Sequence, residues 1–475
     1  MSSPAADQPN VAVAGSSIWH DIARALIGHQ HDYTTTSLQR AIVLLAVPMA
    51  LELLMESLFA VVDIFWVSRL GRHAVGAVGL TEAIMTVIYA AALGISLAAS
   101  AVVARRIGER DSAGAGRAAG QVILLGVATS SLLGLVLGHF AVDILELMGA
   151  SEPIVATGAG FTRIMLAGNV TVVLIFLINA VFRGAGSAAI AMQTLWLANG
   201  VNMVLGPCFI FGWGPFPELG VTGAAVATNV GRGIGVLYQL WRIAGHDDRI
   251  RIVLSDLRPA LGDLCEIVRI SASGVAQFMI TMTSWAALFV ILASFGSAAV
   301  AGYTIAIRIV NIAMAVAVGI ANASATLVGQ NLGALRPERA QTSVWIATRF
   351  NTLLFAAIGA TFVIFAPSLV SLFTVDPATA RYAAQALRIV SMGFPLYAAG
   401  CALGSAFNGS GDTRTLARLN FCCFWLGQVP LAWFLANILS LGPTGVFIAV
   451  TVSFSTLALW SGLLFKRGDW RTRKV

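Results

Sequence analysis

The sequence predicts an all-α integral membrane protein. Its twelve transmembrane helices fall into two homologous six-helix lobes, related by a pseudo-twofold axis along the membrane normal. Three observations predict this. The chain of 475 residues is 58% hydrophobic and only 11% charged, against about 25% charged for soluble proteins. The second half repeats the first at a constant offset: Phe182-Arg183-Gly184-Ala185-Gly186 returns 225 residues later as Phe407-Asn408-Gly409-Ser410-Gly411, and Gly94 and Gly108 return as Gly319 and Gly333. The repeat is direct, so an even number of helices per half sets both halves the same way up.

A chain with so little polar surface cannot cover itself in water and needs lipid. The 47 glycines suit membrane helices, where small residues permit close backbone approach. The net charge of +7 does not indicate nucleic acid, because the basic residues are scattered over short loops. The five cysteines lie in or beside apolar runs without metal-ligand spacing, so neither a disulfide framework nor a metal site is expected. No cofactor is expected, and the chain is expected to be a monomer.

Residues 1–38 form a polar N-terminal segment, too polar for a signal peptide. Within it, Ile18-Trp19 with Ile22, Ala25 and Leu26 fits either a short amphipathic helix on the inner membrane surface or a disordered leader. Apolar runs of spanning length follow at 40–67, 75–104, 118–140, 155–182, 188–212 and 219–243. These are spans 1 to 6, in a first lobe over 39–243. A polar linker, 244–262, contains His246-Asp247-Asp248-Arg249. Spans 7 to 12 follow at 263–295, 298–329, 340–366, 380–407, 413–437 and 443–466, in a second lobe over 263–466. A basic tail, 467–475, closes the chain.

Lys and Arg set the orientation. They crowd loop 2–3 (Arg105, Arg106, Arg110, Arg117), the linker, loops 8–9 and 10–11, and the tail. Loop 3–4 is acidic, with Asp143, Glu146 and Glu152. Both termini are therefore expected in the cytoplasm, with the protein in the inner (plasma) membrane.

Ionisable groups inside a span are unfavourable and usually functional. Span 1 carries Glu52, Glu56 and Asp63. At about 100° per residue, these steps place all three in a stripe roughly 40° wide. Pro48, one turn before Glu52, removes a backbone hydrogen bond and permits a kink. Burial disfavours the charged form of a carboxylate, which fits such a group to take up and release a proton. The competing reading makes the acids structural ion pairs with Arg163, Arg232 or Arg308. For the stripe as a whole, function is preferred. The six histidines fall in loops, at span edges or in the leader, so intramembrane proton handling falls to carboxylates.

Neutral polar residues complete the interior. Span 5 sets Asn199 and Asn202 one turn apart, ahead of Gly206-Pro207, which is expected to break or bend the helix. Span 7 has Gln277, Thr281 and Ser284 at helical spacing, flanked by Phe278, Met279 and Met282. Asn199, Asn202, Gln277, Thr281, Ser284 and Met282 are substrate-cavity candidates, as is Glu52, although such polar residues more often bond between helices and Met and Phe at helical spacing are more often packing. No HExxH, no GxSxG with partners in place and no intramembrane histidine supports an enzyme.

Val328-Gly329-Gln330-Asn331-Leu332-Gly333-Ala334, Gly393-Phe394-Pro395, and Ala406-Phe407-Asn408-Gly409-Ser410-Gly411-Asp412-Thr413-Arg414 resemble signatures of the multidrug and toxic compound extrusion (MATE) family. The resemblance runs from about residue 40 to 465. It implies two lobes around a central cavity, and export of small organic, mostly cationic compounds driven by a proton or sodium gradient. In the DinF-like branch an aspartate near the outer end of helix 1 and a proline below it form the coupling element. Asp63 and Pro48 match them, with Glu56 as a neighbouring proton-binding candidate. The family's helix 5 often reads Asn-x-x-x-Asp-Pro. Here Asn202 and Pro207 are kept and Gly206 replaces the aspartate. Span 7 lacks the glutamate typical of the NorM-like branch, with Thr281 near its place. Both departures favour protons over sodium. A lipid-linked precursor flippase of the same plan, or a sodium-coupled exporter, is the alternative.

Overall fold

The computed structural model describes residues 18–28, 32–244 and 250–472. The leader up to residue 17, His29, His31, the linker residues His246 to Arg249, and Arg473 and Lys474 of the basic tail lie outside them. Every regular element among the described residues is helical.

Helix α1 (Ile18–Ile27) occupies the place of the expected amphipathic segment. Six expected spans then appear as α2 (Leu38–Ser68), α3 (Arg72–Gly108), α4 (Ser112–His139), the pair α6 (Glu152–Ala167) and α7 (Asn169–Ala185), α8 (Ala188–Phe211) and α9 (Val221–Ile243). The short α5 (Ala141–Leu147) caps the loop after α4. The second lobe repeats the plan with α10 (Leu261–Ala293), α11 (Ser297–Gly333), α12 (Pro337–Ser371), the pair α13 (Pro377–Met392) and α14 (Phe394–Gly409), a composite span Thr413–Ile438, and α17 (Pro443–Arg467). Among the described residues nine helices are long and apolar enough to cross a membrane singly, and the two bent pairs raise this to eleven. The remaining span of the twelve, α9, is less apolar because Asn229, Arg232 and Gln239 sit on it.

Three features depart from simple spans. Span 4 bends by 42° and span 10 by 56°, at Gly168 and Gly393, which are themselves 225 residues apart. The glycines permit close packing: a Cβ at Gly393 would come within 2.8 Å of Thr451. Of the break or bend expected at Gly206-Pro207, no break occurs. Helix α8 runs through Pro207 to Phe211 and ends at Gly212, φ 69°. A helix opened inside the bilayer would leave backbone groups without water, so the ladder continues past the proline. Span 11 is not a uniform α-helix. It passes from α15 (Thr413–Asn420) into a π-helical stretch (Phe421–Gln428), then α16 (Val429–Trp433) and a second π stretch (Phe434–Ile438).

The repeat survives in backbone detail. Gly71 and Gly296 (φ 95° and 99°), Arg110 and Leu335 (61° and 57°), and Gly186 and Gly411 (84° and 81°) are matched left-handed positions 225 apart. Gly220 and Gly442 (57° and 58°) match at 222, so the second lobe is three residues shorter in the turn after span 11.

The lobes meet along two matched seams. Gly319 on α11 packs on Ala50 of α2, where a Cβ would lie 2.7 Å from the Ala50 nitrogen, and Gly94 on α3 packs on Val275 of α10. At the basic end, Gly108 lies against Gln330, and Gly333 against Arg105. Each contact is the 225-residue image of the other. Gly329 meets Ala104, its own image, so this contact falls on the axis.

Candidate functional site

The polar interior of the first lobe is built in levels along α2. Glu52 is buried, 2% exposed. Its Oε1 accepts from Arg183 Nη1 at 2.6 Å and from Asn179 Nδ2 at 3.1 Å, both on α7. Gln239 of α9 donates from Nε2 to Asn179 Oδ1 at 2.6 Å. A carboxylate held by a guanidinium and an amide, with that amide held in turn, is a structural clamp among α2, α7 and α9. Glu52 was expected to line the substrate cavity. The structure instead engages it in this buried clamp.

One turn further, Glu56 accepts from Asn199 Nδ2 at 3.0 Å and from Arg232 Nη2 at 3.0 Å. The Arg232 guanidinium lies 5.8 Å from the ring centres of both Phe59 and Phe176, where aromatic faces favour a cation. Asn199 and Glu56 are thus brought together, a pairing that spacing along either helix alone does not indicate. Asn202 is not part of this group: its Nδ2 donates to Thr228 Oγ1 at 2.9 Å.

Asp63 stands two turns beyond Glu56. No hydrogen bond or ion pair engages its side chain among the described residues, and the charges acting on it are Glu82 and Arg232. Glu82, on α3, is exposed and also faces Arg232 and Glu56. Arg232 therefore sits among three carboxylates and pairs directly with one. Of the arginines weighed as partners, Arg163 and Arg308 are exposed and form no ion pair with the stripe among the described residues. Sequence reasoning missed Glu82, Arg183, Asn179 and Gln239. Arg183 was visible in the repeated turn motif, and Glu82 was a plain acid inside span 2.

The second lobe has neutral groups at the matching places: Gln277 corresponds to Glu52 and Thr281 to Glu56. Thr281 Oγ1 donates to the Gln277 carbonyl at 2.9 Å and Ser284 Oγ to the Thr281 carbonyl at 3.0 Å. Across to span 11, Asn420 Nδ2 donates to Thr281 Oγ1 at 3.4 Å, and Ser284 Oγ to Gln428 Oε1 at 3.5 Å. These bonds tie α10 to itself and to its neighbour. Met282 lies off that stripe and is exposed. Among the described residues no three His, Cys, Asp or Glu side chains are grouped to hold a metal ion. At these matching places only the first lobe carries carboxylates, whose charge changes on binding a proton as that of an amide or hydroxyl does not.

Comparison with known proteins agrees with this architecture. The MatE family model matches twice, over residues 48–208 and 273–434, and the two matches begin 225 residues apart. A probable multidrug resistance protein NorM from Thermotoga maritima is 24% identical, over 92% of this chain and 94% of its own length. An FAD transporter from Shewanella oneidensis is 23% identical, over 85% and 89%. Among solved structures, a MATE protein in complex with MaL6 superposes with a TM-score of 0.86 at 26% identity, covering 92% of this chain and 98% of that one. A Pyrococcus furiosus transporter of the MOP superfamily, described as having a binding pocket of reverse polarity, superposes at 0.87 with 26% identity, over 93% and 98%. With the family model matched in both lobes, the chain belongs to the MatE family of membrane transporters.

Proposed function

We propose that this transporter is a secondary antiporter that exports cationic or amphipathic organic compounds in exchange for protons by alternating access. The observation that carries this reading is the contrast at Asp63. Glu52 and Glu56 are held by arginines, whereas Asp63 has no direct partner among the described residues, and its image in the second lobe is Leu288. Deprotonated Asp63 helps hold a cationic compound in the first lobe. A proton arriving from outside neutralises it, α2 bends at Pro48, and the compound leaves. Each ligand thereby lowers affinity for the other. The lobes, 39–243 and 263–466, then rock about their seams to reload.

The lobes are sealed at the basic end, where Gly108 and Gly333 pack across the axis. The positive-inside rule assigns that end to the cytoplasm, with both termini there and the protein in the inner membrane. This conformation then faces outward. One solved relative is described as an outward-facing multidrug resistance MATE transporter and superposes at a TM-score of 0.85. The relatives named for multidrug resistance support drug-like organic substrates.

The experiment is transport of ethidium by purified protein in liposomes under an imposed proton gradient, with and without sodium. Uptake that follows the proton gradient and ignores sodium is expected. Uptake that ignores the proton gradient overturns the reading.

A further inference from the structure

We propose that Arg308 recognises an acidic group on transported compounds, so that amphoteric molecules span the cleft, with their cation toward the first lobe and their carboxylate or phosphate on α11. This rests on the reading that compounds are exported through the space between the lobes.

The face of α11 on which Arg308 lies is fixed by its packing. Gly319 presses on Ala50 of α2. Arg308 precedes Gly319 by eleven residues, which is three turns plus about 20°, or roughly 16 Å along the helix. Arg308 and Ile312 therefore share the face that is closed on α2 at Gly319. Both are exposed, Ile312 at 47%. The two helices run antiparallel here, because Ile42, Leu45 and Met49 of α2 cluster with Ile320, Ala323 and Leu327 of α11. Eleven residues on from Ala50, on the same face of α2, is Val61, 59% exposed. Arg308 and Val61 thus stand at one height on the two walls of a parted seam. Asp63 follows Val61 by two residues and turns to the other side of α2, into the first lobe.

The wall opposite Arg308 is apolar, with Leu58, Val61 and Phe65 all exposed. Among the described residues no hydrogen bond or ion pair engages Arg308. Arginines within spans as a rule face the bundle interior or a water-filled cavity and mark a substrate or ion pathway, and one with no protein partner on a cleft wall is free to meet a ligand. The symmetry sharpens the point. The matching seam between α3 and α10 has Ala83 in the place of Arg308, and presents Val87 and Met282. Only one of the two seams bears a cation. Asn311, one turn from Arg308, opens on a narrow crevice lined by Trp285, Tyr397 and Phe454. An acid on the guanidinium fork would find an amide donor and aromatic faces beside it.

The same chemistry could come from the phosphate of an outer-leaflet lipid entering the seam, and the test separates the two. The probes are a rhodamine whose benzoate is esterified, a pure cation, and the same dye with the benzoate free. Transport of both is measured in proteoliposomes for wild type, Arg308→Gln and Arg308→Lys. Loss of a charge-assisted bond is expected to raise KM for the free acid roughly tenfold or more in Arg308→Gln, with a smaller rise in Arg308→Lys and the ester changed less than about twofold in both. Equal changes for the two dyes, or none, overturn the proposal. Should Arg308→Gln fail to reach the membrane, the acid-to-ester KM ratio of Arg308→Lys decides, since lysine keeps the charge and loses the fork. Binding of both dyes is then read by anisotropy in lipid-free maltoside micelles. Selective weakening of the free acid there supports a substrate site. An effect present only in lipid assigns Arg308 to a headgroup and overturns the proposal. Export of the ester by wild type tests the antiporter reading separately.

Discussion

Arg232 and Glu56 are paired at 3.0 Å, with the guanidinium flanked by Phe59 and Phe176. Arg232 is buried and Glu56 partly so. Removing one member of such a pair strands the other, whereas removing both can be nearly neutral. Arg232→Met should destabilise by roughly 3 kcal/mol, and the Arg232→Met/Glu56→Gln double variant by clearly less. Thermal melts in detergent across the full cycle check this. Additive losses would mean that the two side chains do not act as a pair.

Asp63 gives the opposite signature. It has no direct partner among the described residues, so Asp63→Asn should shift stability by no more than about 0.5 kcal/mol. Gradient-driven export should nevertheless fall to background. Normal transport by a well-folded Asp63→Asn variant removes this residue from the coupling step.

Pro48 lies inside α2, between the buried inner half and the carboxylates. Restoring the missing hydrogen bond stiffens the helix. Pro48→Ala should therefore keep substrate binding and slow turnover several-fold. Binding by dye anisotropy and export rate are measured together, and unchanged turnover excludes a hinge there.

Sodium should not be required for export. No acid occupies position 206, and a hard cation prefers several oxygen ligands, anionic ones included. There is room to restore one: a Cβ at Gly206 would meet only Asn202 Oδ1, at 3.9 Å. Gly206→Asp should raise sodium sensitivity of transport at a fixed proton gradient, and a sodium-requiring wild type would contradict the assignment.

Helix α1 and the segment that follows it tie the lobes at the basic end. Arg336 Nη1 donates to the Thr34 carbonyl at 2.8 Å, and Arg339 donates to the carbonyls of Tyr33 and Thr36. Gln193 of α8 holds the Leu26 carbonyl at 2.9 Å. The Arg336→Ala/Arg339→Ala double variant should loosen that end. The readout is labelling of Gln330→Cys by an impermeant maleimide in everted vesicles, with the five native cysteines replaced by serine. Labelling several-fold faster than in the parent is expected, and an unchanged rate means the strap does not hold the seal.

Local pattern told most of the fold. Long apolar runs and a constant repeat offset sufficed for twelve spans, because lipid leaves the backbone few choices. The bend at Gly168 had no such signal: the run is apolar on both sides, and the bend reflects how neighbouring helices crowd that glycine. The Gly206-Pro207 signal allowed a break or a bend, and the break is absent because a helix opened in hydrocarbon leaves backbone groups without partners. The π-helical stretches of span 11 left no mark in composition. Within the site, helical spacing put Glu52, Glu56 and Asp63 on one stripe. What separates them is the partner each meets, and Arg183 and Arg232 come from helices more than a hundred residues away. Spacing within one helix carries no information about that choice, so Glu52 looked as available to a substrate as Asp63.

The contact between Ala104 and Gly329 could not be made by two identical copies of the first lobe. A residue on a twofold axis faces its own copy when two identical subunits assemble. Here a Cβ at position 329 would come within 2.6 Å of the Ala104 methyl, so alanine opposite alanine cannot close at this point. A homodimer of first lobes would have to part its helices there or stay ajar. Two unequal copies in one chain can set glycine against alanine here. The tight seal is therefore open to this pair and closed to a symmetric pair with alanine at both positions.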